Sequence, residues 1–355
     1  MRILIVLPCC IGDVVIGTAV LAALRRAYPA AWIAWAVSGW SRAVIEQHPA
    51  LNAVIDTGAA PLPVKTPGGF VRFVRQMRAG KFDLIVSLVR SPLMSAAVQL
   101  AGVRGRAGLD SNGRGFGYNV RAPVDPDQPR HEGEIYLDVV RALGVDADGC
   151  YAHVPVMPAD RAAFWQIAKR AAPELRAGEY LVVNPAGGRN PGMVMDSKRY
   201  PPASLAALAN RLAGRYQRRI VLVGAGSDRP ILEAAAAHLD QPPVMFAGEL
   251  TFGQIAALAA ESFAYVGNDT GLTHLAGAAG ARTIMILGPT DPARYAPFTP
   301  PGRSLALWKP AAVDVRGVGG GQPTPWDWSR DGIGIESAFE RITAFLDGAY
   351  QRGNT

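Results

Sequence analysis

The hydrophobic and polar positions of this chain fall into blocks that are typical of alternating strands and helices. The first block is RILIVL, a short continuous apolar run of the kind that forms a strand buried on both faces. The next is DVVIGTAVLAALRRAYP, which has helical length and is stopped by Pro29. The strand pattern recurs in AWIAWAV and FDLIVSLV, and SPLMSAAVQLAG has Pro and Gly where a helix starts and ends. This alternation predicts a parallel α/β sheet.

The alternation is interrupted once and then resumes. Residues 104–132 are rich in Gly, Pro and Arg, so we predict loops there. From residue 180 a second series of strand-like runs begins, made up of YLVVNP, RRIVLVG, PVMFAG, FAYVG and RTIMILG. Helix-like segments separate them, and the strands end at Gly, Asn or Pro. Ligands of open α/β sheets bind at the carboxyl ends of the strands, so these turns are candidate ligand sites.

We predict two α/β domains in tandem, since 355 residues exceed the size of one typical domain. The first domain is placed at 1–156, a connecting segment with a helix at 157–178, and the second domain at 179–332. Residues 333–355 have the pattern of an amphipathic helix. A ligand cleft between the two domains is the default expectation for such a chain.

Composition and charge narrow the classes of partner. The net charge of +7 favours anionic partners, which include nucleic acid, phosphorylated small molecules and an acidic membrane surface. Three cysteines, two of them adjacent at Cys9 and Cys10, cannot make a disulfide framework, so we expect no disulfide and a reducing compartment. Neither CxxC nor HExxH occurs, and we therefore expect no metal site.

The first residues do not have the pattern of a signal peptide. The apolar run 3–7 is too short for one, and Pro8, Gly12 and Asp13 interrupt the stretch after it. A stretch of 18 apolar residues, as a membrane-spanning helix needs, is absent from the sequence. We therefore expect a cytoplasmic protein that can act at the inner face of the cytoplasmic membrane.

The strongest local motif is VGNDTGLTHLAG, where a predicted strand meets a predicted helix. Asp269 or Thr270 can cap that helix, and Gly271 permits a ligand to approach the backbone closely. The free N–H groups at the helix start form an anion site, at which His274 can point from one turn further on. A capped helix with a solvent-facing histidine is the alternative. The second turn GPTDP, at the same sheet edge, favours the anion site.

A second motif is NPAGGRNPGMVMDSKRYPP, which also connects a predicted strand to a helix. Gly187 suits a loop that faces a phosphate, and Lys198 can neutralise phosphate charge. The alternative is a solvated loop with a salt-bridging lysine. Neither a GxxxxGK[ST] sequence nor a GxGxxG after the first strand is present, which disfavours a P-loop ATPase and a Rossmann dehydrogenase.

The segment FVRFVRQMRAGK places Arg72, Arg75 and Arg78 three residues apart, along one face of a predicted helix. An ordinary amphipathic helix with a solvated basic face explains this pattern. The alternative is a docking face for an anionic acceptor or a membrane surface.

Asp13 interrupts the apolar N-terminus in LPCCIGDVV, at the end of the first strand and the start of the first helix. Helix capping alone would explain an aspartate there. Together with NDTGLTHLAGAAGARTIMILGPTDPARY and SKRYPP, however, this segment resembles glycosyltransferase family 9. The members are bacterial heptosyltransferases that build the inner core of lipopolysaccharide.

The resemblance implies a GT-B fold, with two Rossmann-like domains of parallel strands facing an interdomain cleft and a C-terminal helix that returns to the first domain. It implies a nucleotide-sugar donor, typically ADP-heptose, in the second domain and an anionic glycolipid or glycan acceptor at the first. Transfer in such proteins inverts the anomeric centre and needs neither metal nor cofactor. Nucleic acid is not an expected partner.

The resemblance also implies roles for single residues. Asp13 matches the catalytic base of the family, and Lys198 matches a lysine that contacts the donor phosphate and assists catalysis. Cys9 and Cys10 stand where many members have small hydroxyl residues, so the donor contacts differ there. The donor-binding set that we predict comprises Gly12, Gly187, Lys198, Asp228, Asp269, Thr270, Gly271 and His274.

Two other functions remain open at this point. A GT-B-like sugar-nucleotide epimerase would act on the donor alone, without a separate acceptor. A non-catalytic nucleotide-binding protein would have no need of a carboxylate such as Asp13.

Overall fold

The chain is described from a computed structural model, which covers residues 1–191, 193–313 and 325–348. It divides into two compact units, Met1–His153 and Val154–Thr355. The division lies close to the predicted end of the first domain at 156, and the predicted connecting segment 157–178 falls within the second unit.

The first unit contains a six-stranded parallel sheet in the order β3-β2-β1-β4-β5-β6. Its strand β1 is a continuous apolar run, and Ile3, Leu4, Ile5 and Val6 are fully buried, as the sequence pattern predicts. The strands are β1 (Arg2–Val6), β2 (Trp32–Val37), β3 (Ala53–Asp56), β4 (Leu84–Ser87), β5 (Gly105–Asp110) and β6 (Val120–Pro123). The helices are α1 (Ile11–Ala27), α2 (Pro67–Ala79), α3 (Pro92–Leu100) and α4 (Glu132–Arg141).

The prediction of loops throughout 104–132 is wrong, because strands β5 and β6 lie within that stretch. Strand β6 has only four residues, and β5 contains Gly105 and Gly108 at positions where apolar side chains would have marked a strand. Gly108 has a packing reason, since a Cβ atom there would lie 2.4 Å from the ring of Tyr118. The sequence pattern does not mark β5 as a strand, because the ring of Tyr118 fills the space that a side chain at position 108 would otherwise occupy.

The second unit repeats the topology, with a six-stranded parallel sheet in the order β11-β10-β7-β12-β13-β14. A short hairpin, β8 with β9, comes after β7. The strands are β7 (Tyr180–Asn184), β8 (Arg189–Asn190), β9 (Met193–Val194), β10 (Arg219–Gly224), β11 (Val244–Ala247), β12 (Ala264–Asn268), β13 (Thr283–Ile286) and β14 (Ser304–Leu307). The helices are α5 (Pro158–Ala171), α6 (Pro202–Tyr216), α7 (Arg229–Ala236), α8 (Phe252–Ala260), α9 (Gly271–Ala278), α10 (Pro292–Tyr295), α11 (Trp328–Asp331) and α12 (Ile335–Leu346).

The predicted C-terminal helix is α12, and it packs against α6 and β14 of the second unit. Its apolar face, which includes Ala338, Ile342 and Phe345, is buried in the core of that unit. The prediction that residues 333–355 return to the first domain stays a prediction, and 349–355 lie outside the described residues. In the described part of the chain, every helix is too short or too polar to cross a membrane.

In both sheets the chain adds strands on one side of the first strand and then crosses over to add the remaining strands on its other side. Ligands of such sheets bind at the carboxyl ends of the strands that flank this reversal. In the first unit these strands are β1 and β4, and in the second they are β7 and β12. The topology therefore predicts that functional residues lie in the segments after these four strands.

Candidate functional site

Asp13 lies in the first turn of α1, in the segment that comes after β1. Its Oδ2 atom accepts a hydrogen bond from the backbone N–H of Cys10 at 3.1 Å, so it caps its own helix as the sequence predicts. Capping uses only one of the two carboxylate oxygens. The other oxygen, Oδ1, accepts a hydrogen bond from the hydroxyl of Tyr136 on α4, also at 3.1 Å.

An ion pair stands beside this carboxylate. Arg90, in the segment after β4, pairs with Glu132 at the start of α4. Glu132 is 2% exposed, so this pair places a second negative charge in the interior next to Asp13. We refer to Asp13, Tyr136, Glu132 and Arg90 as the Asp13 cluster.

The surroundings of Asp13 make it a stronger base than a carboxylate in water. Removal from water raises the pKa of Asp13 above its usual value, and the charge of Glu132 acts in the same direction. The N–H of Cys10, the hydroxyl of Tyr136 and the Arg90 guanidinium act against this rise without cancelling it. A carboxylate whose pKa lies closer to neutrality is better suited to accept a proton from a hydroxyl group.

Cys9 and Cys10 are joined to each other by a disulfide, while Cys150 is a buried free thiol. The expectation of no disulfide is therefore wrong. That expectation applied to disulfides between distant cysteines. The turn between β1 and α1 instead brings the side chains of the neighbouring residues Cys9 and Cys10 together.

In the second unit, the segments after β7 and β12 meet through a buried ion pair. The Nζ atom of Lys198 lies 2.5 Å from Oδ2 of Asp269, and the two side chains are 15% and 6% exposed. The Nε2 atom of His274 lies 3.9 Å from the other carboxylate oxygen of Asp269. These three residues form what we call the Asp269 cluster. His274 is 5% exposed, which excludes the alternative of a solvent-facing histidine.

The groups around Asp269 favour its ionised form in this buried place. Burial by itself would raise the pKa of Asp269, but Lys198 and His274, together with the Thr290 hydroxyl, hold the pKa below its usual value. Lys198 therefore forms the salt bridge that the alternative interpretation expects, but its side chain is only 15% exposed. An ammonium group has three N–H donors, and a single ion pair leaves others for a ligand.

The backbone around the Asp269 cluster is fixed by short polar contacts. Thr270 caps α9, since its Oγ1 atom accepts a hydrogen bond from the N–H of Leu272 at 3.2 Å, as predicted. Gly187 has a φ of +130°, and a Cβ atom there would lie 3.1 Å from the side chain of Thr270. Only glycine fits this position without strain, so the loop after β7 can approach the start of α9 closely.

Asn268 is a residue that the sequence reasoning missed. Its amide donates hydrogen bonds to the carbonyls of Pro185 and Ala186 at 2.9 and 3.0 Å, and its oxygen accepts one from the N–H of Tyr200 at 3.0 Å. One buried side chain thus ties the loop after β7 to the end of β12. An asparagine before an aspartate in a strand-end turn was the available signal.

The remaining predicted donor residues lie at strand ends without joining either cluster through a side-chain contact that the structure shows. Gly12 and Gly271 are in the first turns of α1 and α9. Asp228 lies after β10, the neighbour of β7, and its Oδ2 atom accepts a hydrogen bond from the N–H of Ala225 at 3.0 Å. The carboxylate of Asp228 therefore caps its own turn.

The basic face of α2 is partly used inside the first unit. Arg72 donates to the carbonyl of Thr57 at 3.1 Å, and Arg78 donates twice to the carbonyl of Leu100, at 3.1 and 2.6 Å. Arg75 makes no hydrogen bond or ion pair within the described residues, and with Arg72 it lines an open groove of about 710 Å³. The three arginines are therefore not equivalent, and in the part of the chain that the structure describes Arg75 is the one whose guanidinium stays available.

Among the residues that the structure describes, no group of His, Cys, Asp and Glu side chains is arranged to hold a metal ion.

Comparisons with known proteins identify a family and several relatives of this chain. The family model described as glycosyltransferase family 9 (heptosyltransferase) matches residues 70–314. Lipopolysaccharide heptosyltransferase 3 of Escherichia coli is 25% identical over 295 residues, which is 81% of this chain and 84% of that protein.

Solved structures share the fold at lower identity. A glycosyl transferase family 9 protein from Veillonella parvula DSM 2008 aligns with a TM-score of 0.79 at 20% identity, over 98% of this chain and 97% of that one. The E. coli ADP-heptose LPS heptosyltransferase II aligns with a TM-score of 0.74 at 19% identity, over 99% and 100% of the two chains. The paired six-stranded parallel sheets are those of a GT-B glycosyltransferase. Since the family model covers more than half of its length, the chain belongs to glycosyltransferase family 9, the heptosyltransferase family.

Proposed function

We propose that this protein transfers a heptosyl residue from ADP-heptose to a glycan acceptor of the lipopolysaccharide core, with inversion at the anomeric carbon. The observation that carries the proposal is the Asp13 carboxylate, which is placed after β1 and given a raised pKa by its surroundings. The family supports sugar transfer, and the names of the relatives support heptose and an ADP-linked donor.

The chemistry assigned to Asp13 is general base catalysis. Asp13 takes the proton of the acceptor hydroxyl while that oxygen forms a bond to the anomeric carbon. The bond from the anomeric carbon to the diphosphate oxygen breaks, and its electron pair leaves with the nucleoside diphosphate. Attack on the face opposite the leaving group inverts the configuration, and the proton on Asp13 is later lost to water.

The second unit would hold the donor. Negative charge grows on the leaving diphosphate in the transition state, so fixed cations and N–H groups aimed at it lower the barrier. Lys198 supplies a cation, and the start of α9 supplies backbone N–H groups under a positive helix end. Asp269 holds the lysine in place through their ion pair, and none of these steps requires a metal ion.

The donor class is tested by isothermal calorimetry with nucleotides. We expect ADP and ADP-heptose to bind, and GDP- and UDP-linked sugars to bind at least about tenfold more weakly, a difference of about 1.4 kcal/mol. A preference for GDP or UDP would contradict the assignment of the donor. Incubation with the donor alone tests the epimerase alternative, for which a changed sugar would appear without any acceptor.

Arg75 is proposed to contact the anionic acceptor or the inner face of the cytoplasmic membrane. We expect Arg75→Gln to weaken binding to phosphatidylglycerol vesicles about fivefold at low salt, since one cation near such a surface contributes about 1 kcal/mol. The KM for the acceptor should rise and the KM for the donor should not. Arg104→Gln makes the same charge change outside α2 and is the control. Equal vesicle binding by both variants would contradict the docking role and favour the interpretation of the α2 face as an ordinary solvated surface.

A further inference from the structure

Four groups of the first unit interact with the Asp13 carboxylate through hydrogen bonds or charge. The Cys10 amide comes from the turn before α1, and Arg90 comes from the segment after β4. Glu132 and Tyr136 come from α4, which packs against α1. Glu132 and Tyr136 are four residues apart in the sequence, so their side chains lie on the same face of α4. These are the charged and titratable groups that act on Asp13.

The two oxygens of Asp13 are held separately. Oδ2 is fixed by the Cys10 N–H and Oδ1 by the Tyr136 hydroxyl, each at 3.1 Å. Because an ionised carboxylate offers about four lone-pair sites, each oxygen can still accept one more hydrogen. With both oxygens anchored, the plane of the carboxylate is set and the remaining lone pairs point in fixed directions. That is the preparation a general base needs, since proton transfer depends on the geometry of donor and acceptor.

We propose that Tyr136 and the Glu132–Arg90 pair are positioning residues for Asp13, which aim its carboxylate and set its charge environment for proton abstraction. The inference rests on the proposed function. Neither Tyr136 nor Glu132 is assigned contact with substrate, and both act through Asp13.

The placement of Glu132 is not what fold stability alone would favour. A buried carboxylate beside another carboxylate is unfavourable unless a cation compensates it. Arg90 supplies that cation to Glu132, which is 2% exposed, and the charge of Glu132 repels the negative form of Asp13. Tyr136 acts in the opposite sense, because its hydroxyl donates to the ionised form. The cluster therefore contains one group that favours proton uptake and one that limits it.

The test is the pH dependence of kcat/KM, which falls on the acid side as Asp13 becomes protonated. Tyr136→Phe removes a donor to the ionised carboxylate and keeps the ring, so the acid limb should move to higher pH. We expect kcat to fall about 10- to 100-fold, the effect of one hydrogen bond to a charged group. Glu132→Gln removes the repelling charge, so the acid limb should move to lower pH. The KM for the donor should change in neither variant.

Two matched controls separate this role from ordinary packing. Tyr118→Phe removes another buried hydroxyl of the first unit, which donates to Ser87 at 2.9 Å. Glu134→Gln removes another carboxylate of α4, which pairs with Arg141. Neither residue contacts Asp13, and neither control should move the acid limb. If Glu132→Gln fails to fold because the Arg90–Glu132 ion pair is lost, the double variant Arg90→Gln with Glu132→Gln replaces it. The double variant should still move the limb to lower pH, since Glu132 acts on Asp13 more strongly than Arg90 does.

A readout without turnover keeps the inference separate from the proposed function. Carbon-13 NMR of the aspartate carboxyls measures the titration of Asp13 directly, with Asp13→Asn identifying its signal. Opposite shifts of that titration in Tyr136→Phe and Glu132→Gln support the positioning role whether or not heptose is the sugar transferred. Unmoved titrations, or shifts in the same direction, overturn it. A wild-type protein that titrates as expected but transfers no sugar would instead refute the proposed function.

Discussion

Asp13→Asn should lower kcat by about 10²- to 10⁴-fold, the range of general acid–base catalysis by a positioned side chain. Asparagine has nearly the same shape as aspartate but cannot accept the proton of the acceptor hydroxyl. Its amide oxygen can keep only part of the hydrogen bonding that the two carboxylate oxygens make with Cys10 and Tyr136. The measurement is the steady-state rate of transfer with donor and acceptor well above their KM values.

Binding of the donor should survive this change, because asparagine keeps the size of aspartate and all but one of the predicted donor-binding residues lie in the second unit. We expect the Kd for ADP from calorimetry to stay within about twofold, well under the 1.4 kcal/mol of a tenfold change. Asp110→Asn is the matched control, since Asp110 also stands at a strand end of the first unit and accepts a backbone hydrogen bond, from Gly115 at 2.9 Å. A turnover of Asp13→Asn close to that of Asp110→Asn would remove Asp13 as the base.

Lys198→Ala should destabilise the protein by about 3–5 kcal/mol, the usual cost of removing one partner from a buried ion pair. The substitution leaves the Asp269 carboxylate, which is 6% exposed, without its nearest cation. Urea denaturation monitored by circular dichroism measures the free energy of unfolding. The affinity for ADP should fall too, because the ammonium group is assigned to the diphosphate.

The double variant Lys198→Met with Asp269→Asn separates the two effects. Removing both charges should restore much of the lost stability, because no buried charge is left unpaired. The affinity for ADP should not return. If the double variant binds ADP as well as the wild type does, Lys198 is a structural residue and its assignment to the donor fails.

The same ion pair predicts a pH dependence of stability. The pKa of Asp269 is lower in the folded protein than in the unfolded chain. Its contribution is therefore fully present above the unfolded pKa and is lost as the pH falls through the folded one. The difference in unfolding free energy between the wild type and Lys198→Ala should accordingly shrink in strong acid. A difference that grows on acidification would contradict the ion-pair account.

The parts of this protein that depend on neighbours in the sequence could be predicted. The buried run of β1, the capping aspartate at residue 13 and the turn that starts α9 all have local patterns, and the structure confirms them. Strand order was less directly accessible. The alternation predicts parallel sheets, but only the fold shows which strand ends flank the reversal and so bring the segments after β7 and β12 together.

The features that could not be predicted depend on contacts across long sequence separations. Tyr136 reaches Asp13 from 123 residues away, and Arg90 finds Glu132 over a separation of 42. No periodicity marks such residues, since each is unremarkable within its own helix or turn. On the basic face of α2, local spacing suggests three arginines that are available to a ligand. Contacts with backbone carbonyls elsewhere in the unit occupy two of them, Arg72 and Arg78.

Product analysis distinguishes sugar transfer to a separate acceptor, with Asp13 as the base, from the other functions of such a fold. The purified protein is incubated with ADP-heptose and a lipopolysaccharide core acceptor that lacks heptose, beside Asp13→Asn under the same conditions. We expect an acceptor product heavier by one heptosyl residue in mass spectrometry, with the anomeric configuration inverted in proton NMR, and almost none from the variant. An unmodified acceptor, a retained configuration, or equal product from Asp13→Asn would contradict it.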